Sequence, residues 1–206
     1  MRVNTVLLTA FFITLCAGGQ AFGQLPFSIG VKGGVGLTDA FSDQLITGVN
    51  TQTHNFSSSK DYVVGPMIEL RLPMHLSVEF DALYRPLHLT VSNFIASGTG
   101  TTITVNGTAN SWEFPILGKY HFLGGPIKPY IEAGPSFRSV RQFALGTPQL
   151  SSAGFTAGGG IEVGVLKLKV APELRYTRWA GDSNSSAFGV PVSNVNQAEF
   201  LVGISF

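Results

Sequence analysis

The chain has 206 residues, with 13 Lys and Arg against 12 Asp and Glu, a formal charge of +1. Charged types make up only 12%, about half the ~25% usual in soluble domains, while apolar types reach 44% and glycine counts 25. A nucleic-acid binder needs a basic excess, a disordered chain needs charge or low hydrophobicity, and a disulfide scaffold needs paired cysteines; the composition, with its single Cys16, excludes all three.

The first residues read as an export signal. Arg2 precedes the apolar run TVLLTAFFITLCA (residues 5–17), and Ala21-Phe22-Gly23 offers small residues where a signal peptidase cuts. The run is too short for a spanning helix, which needs about 20 residues. Leu15 stands before Cys16 where a lipoprotein signal wants a small residue. The expected division is a signal peptide at 1–23 and one domain at 24–206. Removing Arg2 from the 13 bases leaves 12 against 12 acids, and the domain keeps no cysteine, as suits an oxidising compartment.

From residue 27 onward the pattern has period two, the signature of strands with two different faces. Eight runs are predicted, at 27–41, 61–72, 76–91, 112–122, 128–143, 155–166, 168–179 and 197–206. The first, third, fifth and seventh connections are long and polar. The second, fourth and sixth are tight, around Pro73-Met74-His75, around Gly124-Gly125-Pro126 and at Lys167-Leu168. An even number of strands with long loops on one side and short turns on the other is the arithmetic of a transmembrane barrel. With the N-terminus in the periplasm, the long loops lie outside the cell.

The faces choose the solvent. One face of each run is apolar, as with Ile68, Phe80, Ile116 and Val202, and the other carries the charges. A soluble lipocalin-like barrel, the alternative, would turn the charged face to water and need many more Lys and Glu. The apolar faces also carry aromatics near strand ends (Phe27, Tyr62, Trp112, Tyr120, Phe122, Tyr176, Phe206), as interfacial girdles do. The apolar face is therefore expected to meet lipid.

The inner face then holds Glu69, Glu79, Asp81, Glu113, Glu132, Glu162, Glu173 and Glu199 with Lys32, Arg71, Arg85, Lys119, Arg138, Lys169 and Arg175. Eight acids against seven bases is near neutrality. Eight strands leave an interior that side chains can fill, and buried charges persist only when paired, so a cross-strand ion network is expected to plug the lumen. A turn at Lys167-Leu168 would set Glu162 opposite Glu173 and Gly160 opposite Arg175, the glycine making room for the guanidinium. Gly30, Gly34 and Gly36 are expected to clear space for long neighbours in the same way. Pro66, Pro115 and Pro172 fall inside strand runs and imply bulges or ladder breaks.

Other signals are weak. Gly33 to Thr38 (GGVGLT) lacks the Lys of a phosphate-binding loop. His88 and Thr90, on the apolar face near the outer end of their strand, are where a lipid-modifying enzyme could place a base and a nucleophile, but no orienting acid accompanies them. Arg178, near the outer rim, could meet lipid phosphates or anchor the interface. His54, His75, His88 and His121 show no metal-ligand spacing. The glycosylation-like triplets at Asn55 and Asn106 mean little if the source is bacterial. No catalytic residue, cofactor or metal is expected.

At WEFPILGKYHF (112–122), KPYIEAGPSFR (128–138), PELRYTRW (172–179) and FLVGISF (200–206) the chain resembles the small outer-membrane β-barrel domain proteins of Gram-negative bacteria, the PorT-like and OmpX/OmpA-like eight-stranded barrels. The resemblance implies an all-β, eight-stranded antiparallel up-and-down transmembrane barrel in the outer membrane. It also implies that Phe200, Val202, Ile204 and Phe206 form the terminal signal read by the barrel-insertion machinery. A following peptidoglycan-binding domain of the longer OmpA kind is not expected. The family hosts adhesins, anchors and secretion accessories, so the implied role is a monomer in outer-membrane lipid, structural or adhesive through its outer loops, with no enzymatic activity.

Overall fold

A computed structural model describes residues 27–38, 44–47, 51–57, 62–95, 101–122, 124–141, 151–165, 168–181 and 194–206. The expected signal peptide and much of the fifth and seventh connections lie outside the described residues. The strands are β1 (Phe27–Gly36), β2 (Gln44–Thr47), β3 (Thr51–Ser57), β4 (Tyr62–Arg71), β5 (Leu76–Asp81), β6 (Leu83–Ile95), β7 (Thr101–His121), β8 (Ile127–Arg141), β9 (Ala153–Val165), β10 (Leu168–Trp179) and β11 (Asn196–Ser205).

Eight staves close a barrel, because β5 and β6 form one stave interrupted at Ala82, and β2 and β3 lie outside the ring. Neighbours are antiparallel in the circular order β1, β4, β5/β6, β7, β8, β9, β10, β11, and β1 closes on β11 with Lys32 opposite Gly203. Ile29 and Phe206 exchange both backbone hydrogen bonds, at 3.1 and 3.3 Å, to finish the seam. Closure removes both edges, which a sheet must do in lipid because no water satisfies an open ladder there.

The alternation predicted for the faces is present throughout. Ile68 and Phe80 are about half exposed, at 50% and 47%, while Glu69 and Glu79 beside them are buried, at 3% and 0%. All seven girdle aromatics face outward. Tyr62, Tyr84 and Trp112 form a continuous row across β4, β6 and β7, with ring centroids 6.3 and 5.4 Å apart. Tyr120 and Phe122 pair edge to face, at 5.3 Å, toward the other end. Trp112 and Tyr120 are eight residues apart on β7, about 27 Å at ~3.4 Å per residue. Strand tilt brings that span close to the ~25 Å apolar band of such barrels.

The long connections differ from expectation in two places. The first contains the hairpin β2–β3, whose second strand pairs along β6 with Thr51 opposite Ile95 and Ser57 opposite Leu89. In the third, β6 and β7 run on as a hairpin to Ile95 and Thr101. β7 is thereby 21 residues long, roughly twice the ~9–11 that span a bilayer. A four-stranded sheet of β2, β3, β6 and β7 thus projects beyond the rim. TQTH is polar on both faces and TTITV is rich in β-branched Thr, which suits strands wetted on both sides.

Two smaller expectations are corrected and a third is narrowed. Leu168 is not in the turn but pairs with Val165, so that Glu173 and Arg175 face Gly160 and Gly158; Lys167 lies outside the described residues. Gly30 and Gly34 make room chiefly for the β11 backbone: a Cβ would lie 2.3 Å from the Ile204 carbonyl oxygen and 2.0 Å from that of Phe200. The prolines break ladders without bulging them. Pairing stops at Pro115–Ser136 and resumes at Gly118–Ala133 in the same register, as it does around Pro172 between Val170–Val163 and Glu173–Gly160.

Candidate functional site

The site is the lumen, where the inward rows of all eight staves bring charged side chains together. Arg175 on β10 is the centre of the densest group. Its Nε donates to Glu132 Oε1, its Nη1 to Asp81 Oδ2 and its Nη2 to Glu79 Oε1, each at 2.7 Å, and Glu173 Oε1 is 2.9 Å from Nε. Only a planar guanidinium presents donors in so many fixed directions; a lysine would not replace it. Lys32 on β1 joins Glu79 and Glu173, the latter at 2.8 Å. Lys119 on β7 reaches Glu79 at 2.6 Å and Glu132 at 3.3 Å. Tyr130 on β8 closes the cage, donating to Glu173 Oε2 at 2.6 Å with Lys119 over its ring at 4.4 Å.

Glycine shapes the cage. A Cβ on Gly158 would meet Glu132 Oε1 at 3.0 Å and Arg175 Cγ at 3.1 Å, and one on Gly160 would meet the Tyr130 hydroxyl at 2.7 Å. The glycine that admits the guanidinium is therefore Gly158, and Gly160 admits a phenol. The run AGGG (residues 157–160) is small because bulky partners lie across it.

Toward the long-loop end a second group forms. Arg85 on β6 joins Glu199, donates to Gln197 at 3.1 Å and lies 3.8 Å from Glu113. Arg138 stacks on Trp179, 4.1 Å from the ring, and donates to the Ser151 carbonyl at 3.1 and 3.2 Å. Trp179 Nε1 donates to Gln197 at 2.9 Å. Val63, Leu83 and Leu201 form an apolar contact; along β11, Leu201 separates Gly203, opposite Lys32, from Glu199. Toward the tight-turn end lie Glu69, Arg71, Glu162 and Lys169. Ser28 bridges Arg71 and Glu69 at 3.4 and 3.5 Å, and Glu162 has Lys128 at 3.6 Å and Lys169 at 4.0 Å.

Each of the fifteen charged positions thus lies on the inward face, in three tiers. Sequence reasoning missed Tyr130, Trp179 and Gln197, all buried in the lumen. The strand period alone assigns Trp179 and Gln197 inward; being uncharged, they carried no other signal. Phe200, Ile204 and Phe206 point outward from β11. His88 and Thr90 have Thr108 and Asn106 as cross-strand neighbours on β7. Arg178 is exposed at the rim and donates to Asn196 at 2.8 Å. As chemistry, the central carboxylates are engaged as counter-ions of Arg175, Lys32 and Lys119.

Comparison with known proteins follows this geometry. The family model described as an outer membrane protein beta-barrel domain matches residues 20–141. Among solved structures, the fold is similar to the outer membrane protein OprG from Pseudomonas aeruginosa, with a TM-score of 0.55 and 16% identity, over 87% of this chain and 93% of that one. It is also similar to Neisserial surface protein A, with a TM-score of 0.50 and 16% identity, over 89% and 98%. No curated protein sequence matches the chain.

Proposed function

The chain belongs to the outer membrane protein β-barrel domain family and resides in the bacterial outer membrane, and from that premise we propose that it is a non-conducting, non-enzymatic barrel that presents an interaction surface outside the cell. The observation that carries the closed lumen is the Arg175 cage, in which side chains from β1, β5, β7, β8 and β10 meet across the interior. An ion or solute would have to separate charge pairs buried in low dielectric, where each unpaired charge is costly. The surface reading is supported by the projecting sheet of β2, β3, β6 and β7, rich in Thr, Ser and Asn. The barrel acts as a monomer in outer-membrane lipid, with the alternating Phe200, Val202, Ile204 and Phe206 as the feature read during insertion. The test is reconstitution in a planar lipid bilayer. The expected record is flat; a stable, reproducible large single-channel conductance would overturn the reading.

A further inference from the structure

A separate group of side chains meets in the lumen at the tight-turn end. Glu69 is two residues from the end of β4, His121 ends β7, and Glu162 is three residues from the end of β9. All three lie on inward rows, and one ligand atom from each falls within 4.8 Å of the other two. The imidazole belongs to a row that is otherwise buried, and its ring lies 5.4 Å from that of Tyr130.

A second observation points to a cation here. Glu69 is 3% exposed, and its Oε1 has no hydrogen-bond partner. Its other oxygen has only the Ser28 hydroxyl, at a long 3.5 Å. A buried carboxylate left in that state is short of positive charge. Lys128 and Lys169 stand at 3.6 and 4.0 Å from Glu162, beyond good hydrogen-bond range; Lys128 keeps access to water, while the Lys169 ammonium is buried with no hydrogen-bond partner. Neither holds Glu162 by a hydrogen bond, and Lys128 can release it to a stronger partner at little cost. In the other tight carboxylate cluster, Glu79, Glu132 and Glu173, the Oε2 atoms of Glu79 and Glu132 also lack a hydrogen-bond partner, but the Lys119 ammonium already lies 2.6 and 3.3 Å from them, and Lys32 and Arg175 lie among the remaining oxygens.

One imidazole nitrogen with two carboxylates selects a borderline transition-metal ion; Mg2+ and Ca2+ favour oxygen donors throughout. Two carboxylates also neutralise a divalent ion, which matters where Glu69 and Glu162 are buried. We propose that Glu69, His121 and Glu162 form a binding site for a divalent ion of the Zn2+ class, tying β4, β7 and β9 together at the end that faces the periplasm. A solvent molecule completes the tetrahedron. The site is independent of whether the barrel conducts.

The test uses the full chain folded in detergent, titrated with ZnCl2 by calorimetry and with Co2+ for its visible d–d absorption. One ion is expected to bind. H121A and E69Q should each weaken binding by about a hundredfold, the upper end of what loss of a mere supporting partner costs, with E162Q as the substitute should E69Q fail to fold. Folding is checked by heat-modifiable gel mobility. H75A, in the turn at the same end, should bind as the unmodified chain does. Absence of binding by the unmodified chain, undiminished binding by H121A, or loss in H75A would overturn the proposal.

Discussion

Replacing Arg175 by methionine isolates the energetics of the central cage. Methionine keeps the length and most of the volume, so the cavity contribution is small. What changes is charge: Glu79, Asp81, Glu132 and Glu173 would face only Lys32 and Lys119. Breaking one buried pair costs about 3–5 kcal/mol. Arg175 serves several carboxylates, but these losses are not additive, because protonation of one acid relieves the rest. The expected loss is therefore about 3–5 kcal/mol, a large share of the ~5–15 kcal/mol typical of a folded domain. Urea unfolding in lipid vesicles, followed by Trp112 and Trp179 fluorescence and by heat-modifiable mobility, reads it directly. R175M combined with E132Q should recover part of the loss, since one unpaired carboxylate is removed. R178M, at the exposed rim, should stay within about 0.5 kcal/mol. A cost below about 1 kcal/mol for R175M, the scale of a surface pair, would refute a buried cage held by Arg175.

Two further substitutions probe shape and solvent. Gly158→Ala places a Cβ 2.6 Å from the Leu174 carbonyl oxygen and 3.0 Å from Glu132, so it should cost about 1–3 kcal/mol as overpacking; Gly164→Ala, whose nearest atom is 3.8 Å away, should be nearly neutral by the same unfolding assay. Ile68→Arg, in the middle of the outward face of β4, should cost about 2–4 kcal/mol if lipid wets that face. Ile103→Arg, equally exposed but on the projecting part of β7, should change stability by no more than about 0.5 kcal/mol. Equal costs at the two isoleucines would contradict the placement of the membrane boundary between them.

The division of labour between sequence and tertiary structure follows from the range of each interaction. Facing is local: a strand turns successive side chains to opposite sides, so Ile68 against Glu69 and Phe80 against Glu79 can be assigned from period two alone. The scarcity of charge then names lipid as the outer solvent, and tight turns alternating with long connections count the staves. Partners are not local. Arg175 gathers Glu79 and Asp81 from β5 and Glu132 from β8, and His121 meets Glu69 and Glu162 from two other strands, with no spacing along the chain to announce either group. A one-residue shift of the sixth turn moves the glycine opposite the guanidinium by two, from Gly160 to Gly158. The projecting sheet was hidden for another reason: once a strand leaves the membrane both its faces meet water, the alternation that reveals strands disappears, and only pairing across β3, β6 and β7 declares it.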